Sequence, residues 1–519
     1  MPKPTHFLLA ALLFWLALTL PALTVYPTPH MDEGWLAGMA LNLLRDGNYG
    51  LPLIPDLRGT AENYIHNGRL YTTALAGWIA LTGFDAFTLR LFSVFGALLT
   101  TALTFALGRR LVSPTVGLLA ALVLLFGWRL LYAGHFLRPD IWVSAAGLAL
   151  AVAVLRLKPT SSPWVYFAFG LALLVLADVY SSMVFQVVTL TALLGVHLLL
   201  SSHGALPWRG WVVRGVLFGL GGALGLAYWL AVRAFPDPAL ALAQYRFLAE
   251  TNFRLGEQTL LSPLLNLMTQ YLGPWFWSSS RLSPLDTAYL LVGVAGLLVW
   301  HSPAGWRILT ATLVWPLALV YLVPSVTPYH LTSWLPWLAL ALATTTVHAA
   351  AAIAPRLPQF HVHLTPPALA LAALTPLLAA NLLGTAYLSL GSLRVSQMPA
   401  YAAALQTAVA PTESVFGNGA WYITLRAPTY TDYWYLSQYE KLPDLTNRYP
   451  TYADFVTATF AERGVTTVLL DSALTEPALH DLVAAHCTPT TTIALIPFGL
   501  DMTGSPILTT EVYTCPPWR

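Results

Sequence analysis

Long apolar runs recur along this chain, and they constrain its fold more than any other feature. The first, "FLLAALLFWLALTLPALTV" from Phe7 to Val25, contains no charged side chain. A helix needs roughly 20 mostly apolar residues to cross the ~30 Å hydrocarbon core of a bilayer. About eleven runs between Phe7 and Leu390 meet or approach that length, near 7–25, 84–108, 114–131, 140–155, 163–178, 183–200, 212–234, 286–301, 307–324, 331–352 and 364–389. Of the 519 residues 57% are hydrophobic and only 9% charged, the balance of a multispanning membrane protein. A formal net charge of +2 with scattered basic residues sets nucleic acid aside as a partner, since such proteins concentrate Lys and Arg in a stripe or patch. No P-loop, dinucleotide fingerprint or tandem repeat is present.

Orientation follows from Lys and Arg in the short loops. With Lys3 in the cytoplasm, Arg109, Arg110, Arg156, Lys158, Arg209, Arg214, Arg307 and Arg356 all fall on that side. The extracytoplasmic face then receives the loops near 26–83 and 235–286, the turn "GHFLRPD" (Gly134 to Asp140) and everything after Leu390. The first run is expected to be a retained helix, because it is long for a signal peptide and lacks a small-x-small cleavage site. The expected division is a transmembrane domain over 1–390 and an extracytoplasmic α/β domain over 391–519.

The second unit shows a change of pattern. "SVFGNGAWYITL" and "GVTTVLLDSAL" read as short strands, and "YADFVTATFAERG" and "EPALHDLVAAH" as amphipathic helices. Cys487 and Cys515 both lie there. An oxidising compartment allows them to pair, and two free buried thiols are the alternative.

The charges that stand out border the first spans. "TPHMDEGW" places Asp32 and Glu33 where the chain leaves the first run, ahead of the amphipathic "WLAGMALNLLRDG". Acidic residues in a first helical turn can simply complement its dipole and cap its amides. The second extracytoplasmic turn, "AGHFLRPDIW", adds His135, Arg138 and Asp140 within six residues. Ionisable groups at membrane depth are costly and commonly mark a site, although Arg138 could snorkel and Asp140 could cap the next helix. Glu62, His66 and Arg69 lie farther along the first loop; two ligand types there fall short of a zinc set. "DVYSS" from Asp178 to Ser182 reads as a cap, and the aromatics Tyr271, Trp275, Phe276 and Trp277 as an interfacial belt or the border of a lipid groove.

The ordered set resembles the GT-C glycosyltransferases. Within that superfamily it is most similar to the branch of protein O-mannosyltransferases and bacterial lipid A aminoarabinose transferases (glycosyltransferase family 39-like). The likeness is sharpest at "HMDEGW", at Arg90 to Leu111, at "RPD", and at "YHLTSWLPWLALALA" from Tyr329 to Ala343. It implies an α-helical integral membrane bundle of about 11 transmembrane helices with a small C-terminal extracytoplasmic α/β domain. The implied activity is an inverting glycosyltransferase that moves a sugar from a polyprenyl-phosphate carrier to a hydroxyl on an extracytoplasmic lipid, glycan or protein.

The attacking hydroxyl must lose its proton, and a carboxylate within reach can accept it. Asp32 is the candidate base. Glu33, diverging from its neighbour, orients the acceptor or a basic partner, and Asp140 supports the site by fixing Arg138 or the acceptor. The leaving phosphate calls for an arginine fork. Arg138 is the first candidate, and His135, Arg69, His66, Tyr329 and His330 complete the substrate-binding set. The chain departs from the resemblance at "ENYIHNGRLYTTALAGW", which lacks the prolines expected on the return from the first loop. No cofactor is assigned and a divalent cation stays open. The competing class is a polytopic transporter or flippase, which would show repeated halves and midplane charges; a noncatalytic scaffold is the third reading.

Overall fold

In the computed structural model a helix covers each of the eleven apolar runs. The structure describes residues 3–55, 57–65, 67–180, 183–202, 207–252, 283–322, 328–356, 364–472, 474, 476–495 and 508–518. The candidate His66 and the aromatic cluster Tyr271, Trp275, Phe276 and Trp277 lie outside these residues.

The helices start where local chemistry lets them start. α1 (Pro4–Thr19) has proline at its first position, where the missing N–H costs nothing. α2 (Met31–Asp46) and α3 (Arg69–Thr82) belong to the first loop. α4 (Ala86–Leu111) is capped by Asp85 Oδ1, which accepts from the amides of Phe87 and Thr88 at 2.9 and 3.0 Å. It ends with Arg109 and Arg110 against the negative end of its dipole.

The run expected to cross as 114–131 is broken. α5 (Pro114–Phe126) stops at Gly127, and α6 (Trp128–His135) leaves at 64° to it. α7 (Asp140–Val154), α8 (Pro163–Leu176), α9 (Met183–Ser202), α10 (Trp208–Arg233) and α11 (Pro238–Asn252) follow, then helices Ser283–Val299, Pro303–Leu322, Leu335–Ile353 and Pro366–Val395. Among the described residues six helical segments are by themselves long and apolar enough to cross a membrane: Pro4–Ala22, Ala86–Leu111, Met183–Ser202, Trp208–Arg233, Leu335–Arg356 and Pro366–Val395. α8 and α10 touch by backbone: a Cβ on Gly221 would lie 2.0 Å from the Phe167 carbonyl oxygen.

The C-terminal unit is built on β1 (Ser414–Gly417), β2 (Thr429–Asp432), β3 (Thr467–Asp471), β4 (Thr488–Leu495) and β5 (Leu508–Thr514), in the order β2-β1-β3-β5-β4. β2, β1 and β3 run parallel, while β5 is antiparallel to β3 and to β4. Of the two stretches read as strands, "SVFG" forms β1 and "TVLLD" forms β3; the residues after Gly417 turn into short helical segments instead. The expected helices form as Tyr452–Arg463 and Pro477–His486. Cys487 and Cys515 are joined in a disulfide, the first of the two alternatives the sequence leaves open.

β1 sits between β2 and β3, so the chain leaves it to opposite sides, and the carboxyl ends of these strands frame a crevice. α2 and the loop behind it pack against the turn after β1 and against β2. Asp432 N donates to the Leu53 carbonyl at 2.7 Å, and Arg463 Nη2 to the Pro52 carbonyl at 2.7 Å. The amphipathic stretch expected to lie along the membrane is thus packed between α3 and the C-terminal unit, with Leu36, Ala37, Met39 and Ala40 buried.

Candidate functional site

The two adjacent acids of "HMDEGW" part company in the first turn of α2. His30 caps the helix: its Nδ1 accepts from Asp32 N at 3.2 Å, and its own amide donates to Glu33 Oε2 at 3.2 Å. One helical step rotates the side chain by roughly 100°, so Asp32 and Glu33 face different neighbours.

Glu33 points inward. Arg90 donates to it through Nε at 2.9 Å and Nη2 at 2.6 Å, and both side chains are nearly sealed from solvent. Arg90 Nη1 also reaches the carbonyls of Leu23 and Pro27 at 2.9 and 2.8 Å. Glu33 Oε1 further accepts the amide of Leu137 at 3.0 Å. One carboxylate therefore ties α2, α4 and the turn that carries Arg138, while its guanidinium partner holds the exit of α1. Of the two roles the sequence offered for Glu33, the structure supplies the basic partner.

Asp32 points the other way, half-exposed, and its Oδ2 pairs with Arg138 Nη1. Arg138 Nε donates to Asp140 Oδ2 at 2.9 Å, and its guanidinium lies 4.0 Å over the Tyr329 ring. His30 stands beside Asp32, with Nδ1 3.6 Å from Oδ2. Tyr132 and Phe136 pack on Tyr329 at 6.0 and 5.4 Å and complete an aromatic wall. The arrangement is two carboxylates bridged by one forked cation, with Asp140 buried and Asp32 accessible.

The other candidates lie around this bridge and along the first loop. His330 is buried, edge-on to Phe185 at 6.2 Å. Burial lowers its imidazole to about 4. His135 is packed edge-on to Trp15 at 6.0 Å with Nδ1 3.1 Å from the Tyr26 carbonyl, which ties it to the exit of α1. Arg69 lies 4.7 Å over Tyr49 and reaches Asn63 Oδ1 at 3.4 Å. Asp178, read as a cap, forms a buried ion pair with Arg233. Among the described residues no group of three or more His, Cys, Asp and Glu side chains could hold a metal ion.

No family profile matches the chain, and no curated protein matches it in sequence. Its structure is similar to ArnT from Cupriavidus metallidurans bound to undecaprenyl phosphate, with a TM-score of 0.61 at 13% identity over 98% of each chain. The chain has the GT-C fold. A second likeness is to the apo oligosaccharyltransferase of Archaeoglobus fulgidus, at a TM-score of 0.54 and 14% identity, covering 93% of this chain and 71% of that one. The same oligosaccharyltransferase tethered with an acceptor peptide gives 0.53 at 12% identity, over 96% and 71%.

In this chain the first loop, the turn after α6 and the segment Pro328–Ser333 meet at one end of the bundle, under the C-terminal unit. Sequence reasoning brings Asp32, Arg138, Asp140 and Tyr329 to one site and the structure joins them. It assigns no role to Arg90 or to His30. The available signal for Arg90 is a lone arginine one turn into an otherwise apolar run.

Proposed function

We propose that the chain is an inverting glycosyltransferase that moves a sugar from a polyprenyl-phosphate carrier to an acceptor hydroxyl outside the cytoplasm. The observation that carries this reading is the bridge Asp32–Arg138–Asp140 on a GT-C fold. The donor class is supported by the undecaprenyl phosphate bound to the similar ArnT. A cell-envelope lipid, a glycan or a protein would serve as acceptor.

The chemistry needs one acid that can take a proton and one cation that can take a phosphate. Arg138 pairs with Asp32. A lipid phosphate arriving at the guanidinium competes for the same fork, and Asp32 is released as a base at the moment the donor is in place. The acceptor O–H then gives its proton to Asp32 as its oxygen bonds to the anomeric carbon. The bond from that carbon to the phosphate oxygen breaks on the opposite face, and the electron pair leaves with the lipid phosphate beside Arg138. Asp140 keeps Arg138 aimed throughout; Glu33 holds the turn it stands on.

Orientation belongs to the same proposal: N-terminus cytoplasmic, site and C-terminal unit outside. It is supported by the joining of basic residues at turns remote from Asp32, where Arg110 reaches the Leu155 carbonyl, Arg214 the Ser161 carbonyl and Arg307 the Ser201 hydroxyl. The test uses the purified protein in nanodiscs with a panel of polyprenyl-phosphate sugars, following carrier release by mass spectrometry. Turnover in the native chain that disappears in a folded Asp32→Asn variant is expected; equal turnover in both removes Asp32 from the reaction, and no turnover with any donor overturns the enzyme reading.

A further inference from the structure

Asp32 and Trp35 stand three residues apart on α2, so their side chains leave the same face of the helix. Trp35 reaches into the C-terminal unit. Its Nε1 donates to Asp432 Oδ2 at 2.5 Å, and its ring meets Trp434 edge-on at 4.9 Å. Asp432 closes β2 and is wholly buried. Its Oδ1 accepts from Trp434 N at 2.9 Å. A Cβ on Gly419 would come within 2.2 Å of Asp432 Oδ2, and one on Gly34 within 1.9 Å of the Gly419 carbonyl oxygen. Only glycines allow α2 and the turn after β1 to approach this closely.

A buried carboxylate is costly, and among the described residues no cation pairs with Asp432. Asp32 faces it from α2, Tyr430 from its own strand and Tyr433 from the segment after it. Asp471, on β3 across β1, faces Tyr430. Arg463 stops short, on the Thr431 hydroxyl at 3.2 Å and the Tyr430 carbonyl at 3.0 Å. Burial pushes the Asp432 carboxyl up to about 7; the hydrogen bonds from Trp434 N, Trp35 and Gly419 N oppose this, and the charge of Asp32 adds to it. An ionised Asp432 strengthens the bond from Trp35, and its field reaches Asp32 itself.

We propose that Asp432 is a positioning residue for Asp32: it holds Trp35, and through it the first turn of α2, so that the site is complete only while the C-terminal unit is seated. This rests on the reading of Asp32 as the base and gives the C-terminal unit a part in the reaction. Protonation of Asp432 below neutral pH weakens the grip on Trp35.

The test uses the full chain in nanodiscs as native protein, Asp432→Asn, Trp35→Phe, and Asp444→Asn as a control at the exposed Arg58–Asp444 contact of the same seam. Backbone hydrogen exchange over residues 31–36 needs no substrate, and the pH dependence of kcat is read with the donor panel. Loss of a hydrogen bond to a charged group predicts exchange about tenfold faster at 31–36 in Trp35→Phe and Asp432→Asn, with β3 unchanged as the sign of a folded unit and Asp444→Asn like the native chain. The kcat should fall in both variants while the donor KM holds, and the ionisation near neutral pH should vanish from the Asp432→Asn profile. Unchanged exchange at 31–36 overturns the proposal whatever the turnover, and so does a neutral ionisation that survives in Asp432→Asn. A native chain with no turnover defeats the enzyme reading alone, because exchange still decides whether Asp432 holds α2.

Discussion

Glu33 and Arg90 form a two-point ion pair, at 2.9 and 2.6 Å, between the first turn of α2 and the first turns of α4, closed off from solvent. Charges so buried are retained only with near-complete hydrogen bonding, and here the carboxylate also takes two backbone amides and the guanidinium two backbone carbonyls. The pair is the frame on which the exit of α1, the start of α2 and the turn before Arg138 are hung.

Removing one member should therefore cost more than removing both. Glu33→Gln or Arg90→Gln is expected to destabilise the protein by about 3–5 kcal/mol, because an uncompensated buried charge or donor set is left behind. The double replacement Glu33→Leu/Arg90→Met should recover a good part of that loss. Thermal unfolding in one detergent, compared across the four proteins, checks this; additive losses would mean that the two residues act separately.

Asp32→Asn should lower kcat by about 10²–10⁴, the range for loss of a general base, while carrier binding is kept or tightened because Arg138 no longer has a competing partner. Asp140→Asn should act through Arg138, raising the donor KM more than it lowers kcat. Steady-state kinetics on the two variants separate these outcomes.

Arg138→Lys keeps the charge but loses the fork that spans Asp32 and Asp140 and the flat face over Tyr329. Affinity for undecaprenyl phosphate, read by native mass spectrometry, should drop about tenfold or more, the equivalent of one lost charge-assisted hydrogen bond. Affinity equal to that of the native chain would move the phosphate site away from Arg138.

The stability of the C-terminal unit should depend on pH through Asp432. Its carboxyl is raised from 3.8 to about 7 in the folded chain by burial, so the folded state holds a proton that the unfolded state has released. Stability from this group is then full below about 4 and falls as pH rises toward about 7, levelling above it. Unfolding midpoints measured from pH 4 to 8 should show that decline in the native protein and a smaller one in Asp432→Asn, where the buried Asp471, also raised by burial, still contributes.

Reduction of Cys487–Cys515 opens a loop, closed at a sequence separation of 28, that carries both β4 and β5. A cost of about 2–4 kcal/mol is expected for a loop of this size, visible as faster hydrogen exchange in β4 and β5 with the bundle unaffected. Exchange that stays the same would make the bridge dispensable for the sheet.

Much of this organisation is written locally. Apolar length places the helices, Asp85 and Ser113 mark where two of them begin, and the change of periodicity after Leu390 announces a small α/β domain. β4 and β5 are not read from the sequence. β4 is "TPTTTIAL", polar and exposed over 488–494 except at Ile493, and becomes a strand by pairing with β5 and through the disulfide beside it. The bend at Gly127 also escapes, since α5 and α6 together have the length of a single span and only packing separates them.

By itself the sequence determined that the chain crosses a membrane, which ends of its helices carry charge, and that Asp32, Arg138 and Asp140 border the same face, because hydropathy and helix capping depend on residues within a few positions of each other. Which charges meet across long stretches of chain was decided by the tertiary structure. Glu33 finds Arg90 across 57 residues, Asp32 finds Arg138 across 106, and Trp35 finds Asp432 across 397. Neighbouring acids look alike in a linear chain; one helical step sends them to different neighbours, and only the folded bundle puts a guanidinium on each.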